Sequence, residues 1–441
     1  MEKRRKLLWF LAVAALFLLK TAYNAFAYYP ILDDYIQYIS FHFYGHKFRD
    51  LILAGGLYAV RPLASLADAF VWSNFWNRLS LLYFIMCCVQ FSAWAVFMAA
   101  FQKAGIKAGI FFTALFLFLP LGVEGGYWLS ASTRIAVPLL FCAAACLLIQ
   151  QNTKAGACFS MLFCLLSFCF YEQTAAVSFL LILWTALKTN RKRLYVPIVN
   201  VLLLVCWYLV FRRTGINAAR GELTFQLSKI TEAWKSMGTL WLSVLPRFLK
   251  NGGAFVFSFG YFRMLLIFLL CMTLFWLPVR KVKSAATEFL LPAALLVIPL
   301  LPQMFLQDSW VTLRACVPSI IAVGLFLDLV PGLYWKKLLP PLLIFFSIFS
   351  HYVSMEDYRR VYEADQRVLN TLAEHGLPQK ITNLPQPVEV RPEFGEYIRG
   401  LTSAEWALTG GLRAKCKNPE IPLVEFSAKG FDLGAALGNT Q

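Results

Sequence analysis

Charge is what this chain has little of. Of its 441 residues, 15% are Asp, Glu, Lys or Arg, where a soluble domain carries about 25%. With 59% hydrophobic residues, that shortage excludes a large soluble domain. Histidine is scarce: His42, His46, His351 and His375 stand isolated, with no metal-ligand spacing. There is no Cys-x-x-Cys pair, so a zinc site is not expected. Cysteine is plentiful, but ten of the eleven lie within or beside apolar runs, where a thiol acts as a small hydrophobe. Only Cys416 falls in a polar stretch, so no disulfide framework is expected. No internal repeat is visible, which disfavours inverted-repeat transporter folds. The formal charge of +17 does not imply nucleic acid, because the basic residues sit in short loops between apolar runs. That distribution is a membrane-topology signal.

What is present is a series of long apolar runs. A spanning helix needs about 20 mainly apolar residues. Eleven candidates are found, at about 7–27, 79–101, 108–123, 135–150, 156–171, 174–188, 195–211, 261–279, 287–306, 315–331 and 337–353. The expected fold class is an all-α polytopic membrane protein with about 11 transmembrane helices. The basic start, Lys3-Arg4-Arg5-Lys6, resembles a signal-peptide n-region. The run after it is long and leads into aromatics, so it reads as an uncleaved first helix. With the N-terminus in the cytoplasm, Lys103, Lys107, Lys154, Lys188, Arg191-Lys192-Arg193, Arg280-Lys281, Lys283 and Lys336-Lys337 all fall in cytoplasmic turns, as the positive-inside rule requires. The expected location is a bacterial plasma (inner) membrane, multi-pass, with the C-terminus extracytoplasmic.

Two long loops then lie outside. The first, 28–78, is rich in Tyr, Phe and Trp and broken at Gly55-Gly56, and reads as one or two interfacial helices. The second, 212–260, is basic, against the rule. Its Leu223–Leu249 stretch has apolar residues at helical spacing and reads as an amphipathic interfacial helix. Residues 1–353 form the transmembrane domain. Residues 354–441 form a small extracytoplasmic region, with a helix expected over Glu356–His375 before Pro378, Pro385, Pro387 and Pro392 break the chain.

Polar residues gather on the outer side. Tyr28-Tyr29-Pro30-Ile31-Leu32-Asp33-Asp34-Tyr35 follows the first run. Glu124, Tyr127, Trp128 and Arg134 lie between the third and fourth runs, and Glu172-Gln173 between the fifth and sixth. Asp308 and Arg314 lie between the ninth and tenth, and Arg212-Arg213 end the seventh. Arginine forks suit phosphate, aromatic faces suit sugar rings, and carboxylates bind or deprotonate hydroxyls.

The acidic pair in Leu32-Asp33-Asp34-Tyr35, the Arg61-Pro62-Leu63 element late in the same loop, and the Tyr127-Trp128 and Glu172-Gln173 elements resemble the GT-C superfamily of polytopic glycosyltransferases. The likeness is to bacterial members similar to O-antigen glucosyltransferases and the protein mannosyltransferase-like group, and covers about residues 1–353. It implies transfer of a sugar from a polyprenyl-phosphate donor to an acceptor hydroxyl of a glycan, lipid or protein, among membrane lipids. It further implies that Asp33 or Asp34 is the general base, the other orienting the acceptor or holding a divalent metal (Mg or Mn). Arg134, Arg314 and Arg212 or Arg213 would hold the lipid phosphate, with Arg61, Tyr127, Trp128, Glu172, Gln173 and Asp308 as further substrate contacts.

Structural readings stand beside these. Asp33-Asp34 also suits a helix cap, Arg134 and Arg314 suit snorkelling anchors, and Tyr127 and Trp128 suit an interface belt. A polyprenyl-linked glycan flippase, or a polysaccharide polymerase or ligase, is the alternative function.

Overall fold

The computed structural model describes residues 2–35, 61–119, 121, 123–211, 225–274, 285–304, 316–331, 334–391, 398–418 and 420–438. The protein is predominantly helical. In chain order the helices that position the site are α1 (Glu2–Thr21), α2 (Pro62–Phe70), α3 (Leu79–Ala104), α4 (Ile110–Phe118), α5 (Leu129–Leu148), α6 (Lys154–Phe168), α7 (Glu172–Thr189) and α8 (Tyr195–Phe211). There follow α9 (Ser228–Thr239), α10 (Leu245–Ser258), α11 (Tyr261–Thr273), α12 (Val317–Leu329), α13 (Tyr334–Glu374) and α14 (Glu405–Cys416).

Among the described residues, four helical runs are long and apolar enough to cross a membrane: Trp72–Ala104, Leu129–Leu148, Arg191–Val210 and Trp335–Glu374. Shorter apolar helices lie at Lys154–Phe168, Tyr261–Thr273, Ala286–Leu301 and Val317–Leu329. Leu202, Leu209 and Val210 on α8, and Leu265 and Leu269 on α11, are exposed. Apolar flanks of that extent belong against lipid, and the chain is read as membrane-embedded.

Several boundaries differ from the sequence reading. The first run is helical from Glu2 and stops at Thr21, whose hydroxyl donates back to the Phe17 carbonyl at 2.9 Å. The run ends early because Ala25 and Phe26 take positive φ angles of 50° and 58°, a conformation that L-residues adopt at a cost of about 1–2 kcal/mol. In the first long loop, the described part is α2, which opens with Pro62 at its first position, followed by a 3₁₀ stretch over Trp72–Arg78. Residues 36–60 lie outside the description. In the second, one continuous helical run covers 228–258, with a π-turn at Leu240–Val244. Its buried residues Ala233, Met237, Leu240, Phe248, Gly252 and Val256 recur on one face, as an amphipathic helix requires. That face packs on Ser319 of α12 through Trp241, on Phe346 and Ser350 of α13, and on Tyr23 through Phe255.

The run at 337–353 and the tail helix expected at 356–375 are one helix, α13, of 41 residues. At 1.5 Å per residue it is about 61 Å long, twice the hydrocarbon thickness of a bilayer. It stops where Gly376 takes a φ of +78°, with the Leu377 N–H returning to the Leu372 carbonyl at 3.0 Å. Beyond it, three short strands form a parallel sheet in the order β2-β1-β3: β1 (Lys380–Thr382), β2 (Glu425–Phe426) and β3 (Phe431–Asp432). Ile381 pairs with Phe426 on one side and Phe431 on the other. This sheet, α14 and the end of α13 enclose a second core of Leu369, Leu372, Ile381, Leu408 and Leu412, to which Tyr35 also belongs. The C-terminal region therefore docks directly on the segment carrying Asp33 and Asp34.

Candidate functional site

The segment 28–35 is fixed by a lattice of hydrogen bonds to the start of α5. The Asp34 carboxylate is fully buried. It accepts the Tyr28 hydroxyl, the Ile31 N–H at 3.2 Å and the Ser130 N–H at 2.9 Å. The Tyr28 hydroxyl in turn accepts the Leu129 N–H at 2.8 Å. Leu129 and Ser130 are the first two residues of α5, whose N–H groups have no partner within the helix. Asp34 and Tyr28 together cap that terminus and place a carboxylate at the positive end of its dipole. Burial pushes the Asp34 carboxyl up to about 7, against the three hydrogen bonds that favour its charge. Burial also raises the Tyr28 phenol, so Tyr28 is the donor in their bond.

Asp33, its neighbour, is half-buried. Between Ile31 and Asp33, Leu32 takes a φ of 37°, held by the Asp34 N–H to the Ile31 carbonyl at 2.9 Å and the Tyr35 N–H to the Leu32 carbonyl at 3.1 Å. Strained backbone of this kind persists where the surroundings over-determine it. One carboxylate of the pair is thus buried and locked into the fold, and the other is half-buried beside it.

Tyr127 completes the base of this lattice. It is fully buried, and its hydroxyl accepts the Tyr29 N–H at 2.9 Å. Its ring packs against Tyr28 at 4.9 Å, Tyr83 at 5.0 Å and Tyr358 at 4.5 Å. Trp128 is buried next to it at the start of α5. Both are packing residues in this arrangement rather than members of an exposed belt.

A second set of charges runs through α2. Arg61, which precedes α2, forks onto Glu172 at the start of α7, with Nε to Oε2 at 2.8 Å and Nη2 to Oε1 at 2.6 Å. The guanidinium also lies 4.4 Å from the centre of the Tyr171 ring. Two helical turns on, the fully buried Asp68 pairs with Arg134 of α5 at 2.5 Å. Burial raises the Asp68 carboxyl, and the Arg134 charge opposes that shift. Glu172, Arg61, Asp68 and Arg134 so alternate in sign along α2, joining α5 to α7. The second oxygen of Asp68, Nε of Arg134 and the side-chain oxygen of Gln173 are buried without a hydrogen-bond partner.

The structure brings Arg61 onto Glu172, which the sequence reading takes as separate substrate contacts, and sets Asp34, one of the candidate catalytic pair, on the start of α5. Arg212, Arg213, Asp308 and Arg314 lie outside the described residues, as does the side chain of Glu124. Tyr28 and Tyr29 stand in the stretch the sequence singles out but carry no role there, and Asp68 is not singled out at all. Asp68 carried a signal: a lone acid in an apolar stretch seven residues after Arg61 shares its helical face.

The divalent metal implied by the resemblance does not suit this pair. Both oxygens of Asp34 are taken by hydrogen-bond donors, so a cation could bind there only by displacing one. Among the described residues no group of three or more His, Cys, Asp or Glu side chains converges to hold an ion. Compared with family models, with characterised proteins and with solved structures, the chain matches none.

Proposed function

We propose that this chain is a GT-C-like membrane glycosyltransferase that moves a sugar from a polyprenyl-phosphate donor to an acceptor hydroxyl on the extracytoplasmic face. The observation that carries the reading is the split pair: Asp34 anchors the segment on α5 and holds Asp33 half-exposed at the end of the bundle. In this reading the chain crosses the membrane about eleven times with its N-terminus in the cytoplasm. In support, two of the basic turns are each tied to another segment expected on the cytoplasmic side: Lys107 pairs with Glu288 at 2.7 Å, and Arg193 donates to the Thr153 carbonyl at 2.6 Å.

The chemistry asks little of the protein beyond placement and one base. Asp33 takes the proton of the acceptor hydroxyl. The oxygen attacks the anomeric carbon as the bond from that carbon to the phosphate oxygen breaks. The electron pair leaves on the polyprenyl phosphate, and the anomeric configuration inverts. Arginine forks are the natural holders of that phosphate. Arg61 and Arg134 are already paired with carboxylates, which points to Arg212, Arg213 or Arg314 for this task.

The test uses the full chain in nanodiscs with a panel of polyprenyl-phosphate sugars. Free polyprenyl phosphate is expected from wild type and is expected to be lost in Asp33→Asn at an unchanged melting temperature. Full release by Asp33→Asn would remove the base assignment, and no release by wild type on any donor would remove the reading. A flippase is the second reading. It is favoured by Lys20, buried and donating to the Leu117 carbonyl at 2.7 Å, and by His351, buried with neither ring nitrogen hydrogen-bonded. Polar groups at such depth often mark transport paths.

A further inference from the structure

We propose that the projecting part of α13 forms one wall of a saccharide-binding subsite beside Asp33, with the rings of Tyr29 and Tyr362 as its stacking platform. The proposal rests on the transferase reading and deepens it by naming a neutral carbohydrate as the acceptor.

Tyr29 and Tyr362 lie with ring centres 5.6 Å apart at 44°, and both are only half-buried. Tyr29 packs in part against the main core, yet both rings keep exposed surface. One turn earlier on α13, Tyr358 meets Tyr127 at 4.5 Å, and both of those rings are buried to within 1%. Tyr127 and Tyr29 thus make two aromatic contacts with α13 one turn apart, the first sealed and the second open. An interface belt does not account for Tyr362. It lies nine residues beyond Val353, where the apolar run ends, or about 13 Å along the axis. The headgroup layer on one side of a bilayer is about 5–8 Å thick.

The polar groups around the open pair define the ligand. Arg359 bridges Glu356 at 2.8 Å and Glu363 at 3.8 Å, and the charges of all three act on Tyr29. Asp365 and Tyr362 both act electrostatically on the buried Tyr35, two residues after Asp33. Asp365 is buried, with Oδ1 accepting the Leu401 N–H at 2.8 Å and Oδ2 unpartnered. Among these described residues the carboxylates Glu356, Glu363 and Asp365 outnumber Arg359, which disfavours a phosphorylated or nucleotide ligand. Two aromatic faces with several hydroxyl acceptors and one donor fit a neutral sugar, whose C–H face stacks on a ring while its hydroxyls reach the carboxylates.

The test is binding without donor lipid. The full chain in nanodiscs is applied to an array of neutral oligosaccharides of glucose, galactose, mannose, rhamnose and N-acetylglucosamine. Binding above empty nanodiscs is expected on at least one glycan. Tyr29→Ala and Tyr362→Ala should each weaken it about tenfold, and Tyr362→Phe should retain it. If Tyr362→Ala lowers the melting temperature, Glu363→Lys on the exposed side of the same face replaces it, with weakened binding again expected. No glycan bound by wild type, or binding unchanged in these variants, overturns the proposal. Release of polyprenyl phosphate is measured separately: release without glycan binding overturns this subsite alone, and glycan binding without release overturns the transferase reading alone.

Discussion

The carboxylate of Asp34 accepts the backbone N–H of Ser130 at 2.9 Å, across 96 residues of sequence. At the opposite end of the bundle Asp328 does the same for α4, accepting Gly109 N–H at 2.6 Å, Phe111 N–H at 3.1 Å and Phe112 N–H at 2.9 Å. A helix that starts inside a membrane protein cannot leave its first N–H groups to water. In both cases a buried aspartate from a distant part of the chain supplies the missing acceptors. Asp34 is therefore part of the scaffold before it is part of any chemistry.

That coupling has a pH signature. Burial places the folded-state pKa of Asp34 at about 7, above its value in the unfolded chain. On acidification the folded protein takes up this proton first, so the stability contributed by the group rises as pH falls from about 7 towards 4 and is flat above 7. Asp34→Asn cannot titrate and lacks that slope. Melting temperatures at pH 8 and pH 5 check this: the advantage of wild type over the variant should be larger at pH 5. Equal shifts in the two proteins would show that Asp34 titrates normally.

The Asp68–Arg134 pair predicts an asymmetry between single and double variants. Asp68 is fully buried and Arg134 nearly so. Asp68→Leu strands the guanidinium and is expected to cost about 3–5 kcal/mol, while adding Arg134→Met should recover most of that loss. Unfolding of the three proteins in the same detergent gives the comparison. A double variant no better than Asp68→Leu would mean that Arg134 finds another partner.

Arg61 and Glu172 are less buried, at 17% and 21% side-chain exposure, and their strength lies in geometry. A lysine at position 61 keeps the charge but loses the fork and the stacking on Tyr171. Arg61→Lys and Glu172→Gln are each expected to destabilise by about 1–2 kcal/mol, and the double variant by less than their sum. Additive losses would show that the two side chains do not act as a pair.

These pairs also mark how far the sequence could be read. Arg61 and Glu172 were both visible as polar residues between apolar runs, because their position in a loop is a local property. That they meet each other is a tertiary fact with no local trace. The same holds for Asp34: the cap reading was available, but the helix capped begins at Leu129, not in the adjacent loop. Apolar run length located most helices and misplaced their ends. No glycine or proline marks the stop at Thr21, and positive φ at Ala25 and Phe26 keeps the helix from reaching the end of the apolar run. The apolar-to-charged change near Glu356 reads as a boundary, yet helix-compatible residues continue through it to Gly376. The strands at 380–382, 425–426 and 431–432 are too short to show an alternating pattern.

The docking of the 228–258 helix turns on one small residue. A Cβ at Gly252 would lie 2.4 Å from the Ser350 hydroxyl, 2.6 Å from the Phe346 carbonyl oxygen and 2.7 Å from the Ser350 N. Two of these are backbone atoms of α13 and cannot rotate away. The Ser350 hydroxyl also donates across the same contact to the Phe248 carbonyl at 2.6 Å, so separating the helices breaks that bond as well. Gly252→Ala is therefore expected to destabilise by about 1–3 kcal/mol through overpacking, although alanine favours a helix over glycine by about 1 kcal/mol. Gly238→Ala, on the same run with open space around it, carries the helix preference without the contact and should stabilise. Opposite signs in the two melting temperatures establish the close approach of the 228–258 helix to α13. Stabilisation by both variants would mean that the two helices stand further apart.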